Sequence, residues 1–143
     1  MRILFVASEA LPYAKTGGLA DVIEALPRAL VKLGHEVAVF LPRYRGIKPA
    51  SVVMPSMTIP QGRRLRFPAI ANGSTLRGVR YYFLDDPFYF DRDGIYGAKN
   101  HEYPDNAERY TEFCRAAIEL AKHIWPPDVI HCHDWQTAMI PVL

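Results

Sequence analysis

The first apolar segment, Ile3-Leu4-Phe5-Val6-Ala7, contains no polar residue, the pattern of a strand buried on both faces of a sheet. Polar and turn-forming residues follow: Ser8, Glu9, Pro12, Lys15 and the pair Gly17-Gly18. From Leu19 the apolar positions change to helical spacing, with Leu19, Val22, Ile23, Leu26, Leu30 and Leu33 mostly three or four apart. Pro27 falls inside that pattern and is expected to kink the helix or force an irregular turn. Gly34 is well placed to end it. Val37-Ala38-Val39-Phe40-Leu41 is a second buried strand, closed by Pro42. Strand, helix and strand in this order predict a βαβ unit with a right-handed crossover.

The middle of the chain has a different texture. Pro49, Pro55 and Pro60 interrupt residues 43–60, and Asn72-Gly73 and Arg77-Gly78 are turn signals within the next stretch. Short antiparallel strands are expected around Leu65–Ala71 and Val79–Leu84. A long loop is then predicted from Asp85 to about Asp105, holding Phe88, Tyr89, Phe90, Tyr96 and Tyr103. So long a loop in a compact domain is usually functional or disordered, and its aromatic content argues against disorder. Asn106 is placed to cap a helix whose apolar face is Tyr110, Phe113, Cys114, Ala117, Ile118, Ala121 and Ile124, ended by Pro126-Pro127. Val129 to His133 reads as another parallel strand, Asp134-Trp135 as a turn, and Gln136 to Leu143 as the start of an uncapped helix. That last feature gives the expectation that the chain is truncated. The fold class predicted is α/β: a Rossmann-like parallel sheet with helices on both faces and an antiparallel hairpin section.

Composition narrows the class without changing this picture. At 143 residues, with 50% hydrophobic and 22% charged residues, the chain suits one ordinary globular domain. Its 17 basic and 15 acidic residues are interspersed, which gives no reason to expect a nucleic-acid partner. No apolar run approaches the ~20 residues needed to span a bilayer. The opening residues could pass for a short signal peptide, but Ser8, Glu9 and Lys15 interrupt them and a core strand is the better reading. Two cysteines, Cys114 and Cys132, do not indicate a disulfide framework, and a cytoplasmic location is the default expectation.

Three segments carry candidate chemistry. Lys15-Thr16-Gly17-Gly18 lies between a strand and a helix. Glycines there let a ligand approach the backbone, the helix start offers unpaired N–H groups, and Lys15 adds a charge, so the loop suits a phosphate or pyrophosphate. A plain Gly-Gly turn beside a solvated lysine is the alternative, since the loop matches neither standard phosphate-binding glycine pattern. Asp21, in the first helical turn, suits the helix dipole and could face a sugar hydroxyl. The second segment is His131-Cys132-His133-Asp134-Trp135, at the carboxyl end of a strand, where ligands of open α/β sheets bind, together with Ser8 and Glu9. His131 and His133 share a strand face, but no third metal ligand stands at a persuasive spacing. Core packing is the preferred reading for His131 and Cys132, and Asp134 is placed to cap the terminal helix. The third is the aromatic loop, whose rings beside Asp86, Asp91, Asp93 and Asn100 give a surface fit for sugars, or simply pin the loop to the domain.

The order of these pieces carries a family resemblance. Ile3 to Glu9, then Lys15-Thr16-Gly17-Gly18-Leu19-Ala20-Asp21-Val22, is closely similar to the opening of the bacterial glycogen synthases and plant starch synthases. Asp85-Asp86-Pro87, Gly94-Ile95-Tyr96-Gly97 and His131-x-His133-Asp134-Trp135-Gln136 resemble the same family further along. The resemblance implies residues 1–143 as part of the N-terminal catalytic domain of a GT-B fold, in which two Rossmann-like domains face each other across a cleft. It implies retaining transfer of glucose from a nucleotide sugar, ADP-glucose more than UDP-glucose, to the nonreducing end of an α-1,4-glucan. By resemblance Lys15, Gly17 and Gly18 meet the donor phosphates, with Glu9 and Asp21 lining the cleft near the donor. Tyr96 and Asp134 lie by the transferred glucose and the acceptor, and His133 orients that edge. No metal and no cofactor is implied. A T-V-H-N-like segment and the C-terminal nucleotide-binding domain, with its Arg/Lys pair and carboxylate motif, are absent from this sequence. The isolated chain is therefore expected to be inactive. Another GT-B glycosyltransferase, a stand-alone glucan-binding or regulatory module, and a small flavodoxin-like domain are the alternatives.

Overall fold

The computed structural model describes residues 1–143. The chain opens with β1 (Arg2–Val6), α1 (Leu19–Lys32) and β2 (Glu36–Pro42), the predicted βαβ unit. Four short strands follow: β3 (Ser51–Met54), β4 (Ile59–Gln61), β5 (Arg64–Arg66) and β6 (Ala69–Asn72). Then come β7 (Val79–Asp85), a single helical turn α2 (Pro87–Phe90), and the two-residue strands β8 (Gly97–Ala98) and β9 (His101–Glu102). The long helix α3 (Asn106–His123) leads to β10 (Val129–Cys132), and two 3-10 turns at Trp135–Thr137 and Ile140–Val142 end the chain.

Six strands form one sheet in the order β10-β1-β2-β7-β6-β3, with β4-β5 and β8-β9 as separate hairpins. β10, β1, β2 and β7 are mutually parallel, and β6 and β3 extend the sheet antiparallel. The chain steps from β1 through α1 to β2 in one direction, and from β7 through α3 back to β10 in the other. With right-handed crossovers these opposite steps put α1 and α3 on opposite faces. On the α3 face, Phe40 of β2 stacks on Phe113 with ring centroids 5.1 Å apart. On the other face α1 packs over β2 and β7. Leu4, Phe5, Val6 and Val39 to Leu41 are fully buried between the two layers, as continuous apolar runs in doubly covered parallel strands require.

Several expectations need correction. Helix α1 runs unbroken through Pro27, which is buried within it. The strand expected over Leu65–Ala71 is split by Pro68, which cannot donate to a ladder, into β5 of a hairpin and β6 of the sheet. Asn72-Gly73 makes no turn: Gly73 N–H donates to the Tyr81 carbonyl at 2.8 Å, continuing the β6–β7 ladder. The reversal comes at Arg77-Gly78, where both residues have positive φ, 51° and 85°, and Leu76 and Val79 bond each other in both directions. The aromatic loop contains α2 and the β8–β9 hairpin. Asn106 is the first residue of α3 rather than its cap, and its side chain is used elsewhere. The terminal segment forms 3-10 turns rather than an α-helix. At β10, the sheet's edge strand, His131 is exposed, against its core reading, whereas Cys132 is half-buried and packs against the core as expected.

Candidate functional site

In this topology β1 is where the strand order changes direction, with β2 on one side and β10 on the other. Loops leaving the carboxyl ends of β1 and β10 part to opposite faces there, and the crevice between them is where open α/β sheets bind ligands. Ser8 and Glu9 follow β1, and His133, Asp134 and Trp135 follow β10, so the topology gathers both candidate segments at one edge.

Glu9 organises that edge. It is 3% exposed, and its carboxylate accepts hydrogen bonds from the Thr16 hydroxyl at 2.7 Å, the Thr16 and Gly17 backbone N–H groups and the Tyr96 hydroxyl at 2.7 Å. Burial pushes the Glu9 carboxyl up, but the bonds from Thr16, Tyr96 and Gly17 outweigh it and hold the pKa below the usual value. Two N–H groups that the glycine loop seemed to offer to a phosphate are thus already taken by Glu9, which braces the loop from beneath. Gly18 begins α1 with φ −75° and no side-chain cap. Gly17 and Gly18 are both exposed, and a methyl group at either would meet nothing within 4 Å. The space over the glycines is open.

Lys15 and Asp21 form an ion pair at 2.5 Å, with about half of each side chain exposed (45% and 56%). A pair so exposed is held weakly and gives way to a stronger partner at little cost. Lys15 is therefore parked beside the glycines.

Tyr96 reaches this edge from the aromatic loop. Its hydroxyl also meets Ser8 Oγ at 2.7 Å, and its ring leans toward the half-exposed Trp135, centroids 6.3 Å apart. Burial, together with the bond to Glu9, raises the phenol pKa far above its ordinary value, so Tyr96 stays a neutral donor. Gly94 and Gly97 flank it for steric reasons: a Cβ would stand 2.0 Å from the Gly97 carbonyl oxygen at Gly94, and 2.1 Å from the His101 carbonyl oxygen at Gly97. Beneath, the Tyr44 hydroxyl donates to the Ser8 carbonyl at 2.9 Å and lies 3.2 Å from the Tyr110 hydroxyl.

His133 is half-buried, stacked on Phe5 with ring centroids 5.4 Å apart, and its buried Nε2 has no hydrogen-bond partner. Burial, with His131 alongside, lowers its pKa despite the nearby Asp134. Asp134 does not cap a helix: its carboxylate makes no capping bond, and it adopts φ 60°, ψ −176°. That backbone conformation is essentially reserved for glycine, and a non-glycine residue held in it marks local strain of the kind found at functional sites. No group of three or more His, Cys, Asp or Glu side chains is arranged to hold a metal ion.

Sequence reasoning missed two groups. Arg109 is fully buried behind the aromatic loop, and Thr16 supplies half of the bonds that fix Glu9. The arginine's signal was its place among the apolar residues of α3; the threonine's was its position inside the glycine motif.

The starch synthase catalytic domain model matches residues 2–143. A glycogen synthase of Koribacter versatilis is 52% identical over 146 residues, covering all of this chain and 30% of the relative. A glycogen synthase of Geotalea uraniireducens is 46% identical over 153 residues, with the same coverage. The catalytic domain of starch synthase IV from Arabidopsis thaliana, solved with ADP and acarbose, superposes with a TM-score of 0.76 at 34% identity, over 96% of this chain and 29% of that one. The chain spans about 30% of the length of the curated relatives it matches.

Proposed function

This chain belongs to the starch synthase catalytic domain family, and on that premise we propose that it forms part of a glucosyltransferase extending an α-1,4-glucan from a nucleotide-glucose donor. The observation that carries the reading is the braced loop: Glu9 fixes Thr16 and Gly17 from below, while the space above Gly17 and Gly18 stays open.

In this reading the donor's diphosphate lies over the two glycines at the start of α1, where the Gly18 N–H and the helix dipole favour negative charge. Lys15 leaves Asp21 and pairs with the phosphates. As the glucosyl bond breaks, negative charge grows on the departing diphosphate, and Lys15 and the helix terminus stabilise it there. Asp21, released from Lys15, lines the donor side, and Glu9 acts on the donor only through the loop it holds from beneath. Tyr96 and Asp134 stand by the transferred glucose, Asp134 balancing the positive charge that develops on the sugar ring, and His133 orients that edge. The donor is ADP-glucose, supported by a structural relative solved with ADP, and transfer retains the anomeric configuration. Neither metal nor cofactor takes part. The remaining donor contacts come from chain outside residues 1–143, so these residues alone do not turn over.

Transfer of labelled glucose to glycogen from ADP-glucose and from UDP-glucose tests this, using residues 1–143 and the full-length protein. Transfer from ADP-glucose by the full-length protein alone is expected. A preference for UDP-glucose would overturn the donor assignment, and transfer by residues 1–143 alone would overturn the placement of the missing contacts.

A further inference from the structure

We propose that Arg109 is a positioning residue for the donor loop, acting through Tyr96 and Glu9; the functional consequence rests on the reading above. Arg109 lies in the first turns of α3 and is 0% exposed, yet no carboxylate accepts from it. Its guanidinium spends its donors on the loop instead. Nε donates to the Tyr89 carbonyl at 2.8 Å, one terminal nitrogen to the Ile95 carbonyl at 3.1 Å, and the other to Asn106 Oδ1 at 2.6 Å. The rings of Phe90, Tyr103 and Tyr110 surround it with centroids 5.0–5.3 Å from the guanidinium carbon. Oriented by this bond, Asn106 turns its Nδ2 to the Tyr96 carbonyl at 2.9 Å.

The carbonyls on both sides of the Tyr96 Cα are therefore tied to one buried cation, the Ile95 carbonyl directly and the Tyr96 carbonyl through Asn106. Tyr96 in turn donates to Glu9 Oε1, and Glu9 accepts the Thr16 and Gly17 N–H groups. A continuous line of directional bonds runs from α3 to the donor loop. Burying an arginine is costly unless its donors are satisfied. Here the donors are spent on fixing an irregular segment that has no ladder of its own beyond β8 and β9. Lysine keeps the charge but cannot reproduce the planar fork.

The experiment uses the full-length protein and does not depend on turnover. Amide hydrogen exchange is followed in the peptide containing Thr16 and Gly17 for wild type, Arg109→Lys, Tyr96→Phe and the double variant. Removing one such hydrogen bond should speed exchange of these two amides roughly tenfold. Arg109→Lys and Tyr96→Phe should each do so, and the double variant should go no further than Tyr96→Phe alone. Unchanged exchange in Arg109→Lys, or effects that multiply in the double variant, would overturn the proposal, because a merely structural arginine would not act through Tyr96. If Arg109→Lys does not fold, Asn106→Ala carries the same test by cutting the clasp on the Tyr96 carbonyl together with the one side-chain acceptor of Arg109. Donor KM, measured beside kcat, reports the consequence: a raised donor KM with acceptor KM unchanged is expected. An inactive wild type would defeat the functional reading and leave the exchange result standing.

Discussion

Tyr96 and Glu9, 87 positions apart, meet in a 2.7 Å hydrogen bond from the phenol to the carboxylate. That bond joins the aromatic loop to the glycine loop, two segments that share no sheet ladder. The same carboxylate holds Thr16 and Gly17, so the geometry of the candidate donor loop depends on a residue far away in the chain.

Tyr96→Phe should therefore raise the donor KM in the full-length protein roughly tenfold, the low end of what one hydrogen bond to a charged acceptor is worth. The ring packing against Tyr110 is kept, so the fall in melting temperature should report the lost hydrogen bond and not lost packing. The pH dependence gives a second signature. Glu9 has a lowered folded pKa, so its stabilising contribution is present above the unfolded value and is lost as pH falls through the folded one. Without the Tyr96 bond the folded pKa moves up, so the loss, which starts at the unchanged unfolded pKa, should be smaller and be complete at a higher pH. Urea unfolding midpoints measured through the acid range would show the shift; coincident acid limbs would refute it.

Much of this was legible beforehand, and the reasons are physical. The strands β1 and β2 are unbroken apolar runs because both their faces are covered, and such runs announce themselves. The glycine loop and the residues after β10 lie where a parallel sheet must put its site. What stayed hidden depended on tertiary contact. Strand β3 is mostly exposed, with Val52 and Val53 facing outward, so no alternation marks it. Asn72-Gly73 looked like a turn, but Ser51 bonds the Asn72 side chain and holds the strand straight. Asn106 looked like a cap, but its side chain bonds Arg109 and the Tyr96 carbonyl. Nothing local to Asn106 or Arg109 reveals those partners.

The glycines separate into two kinds, which substitution by alanine should distinguish. At Gly18, the N-cap of α1, φ is −75° and the space beside it is open, so Gly18→Ala should fold normally, the gain of about 0.4–1 kcal/mol from a less flexible unfolded chain being offset by alanine's poorer fit as a cap. If a diphosphate occupies that space, the same variant should lose donor affinity. Gly97→Ala should instead disrupt the β8–β9 hairpin, since its Cβ would collide with the His101 backbone. Thermal melts paired with donor titrations separate the two cases. Unchanged donor affinity in Gly18→Ala would remove the phosphates from that spot.

A buried acid, Glu112, should make stability fall between about pH 4.5 and about pH 8. Glu112 is 0% exposed, and burial, together with the neighbouring Asp86, pushes its carboxyl up to about 8 in spite of Arg66. A carboxyl whose folded pKa exceeds its unfolded value binds more protons when folded. Stability is then lost as pH rises from about 4.5 to about 8 and levels off above. Glu112→Gln keeps the shape without the titration. It should flatten the unfolding midpoint across that range and make the protein more stable than wild type above pH 8. An equal slope in both proteins would show that Glu112 is ionised in the native state.

Asp134 combines a strained backbone with a place at the candidate site, so stability and activity can be tested at one residue. Its φ of 60° with ψ −176° is a glycine conformation adopted by an aspartate, and holding it there costs on the order of 1–3 kcal/mol. Glycine relieves the strain, so Asp134→Gly should raise the unfolding free energy by about 1 kcal/mol, the relief partly offset by glycine's freer unfolded chain. The same variant removes the carboxylate from beside the candidate glucose position. If that charge balances a developing cation, kcat of the full-length protein should fall by roughly a hundredfold or more, the scale of losing one electrostatic contact to a transition state. Asp134→Asn retains the strain and nearly the same shape while losing the charge, so it should match glycine in kcat but wild type in stability. Denaturant midpoints and initial rates on the three proteins separate the two effects. Full activity in Asp134→Asn would leave the strained backbone, rather than the carboxylate, as the feature that matters at this edge.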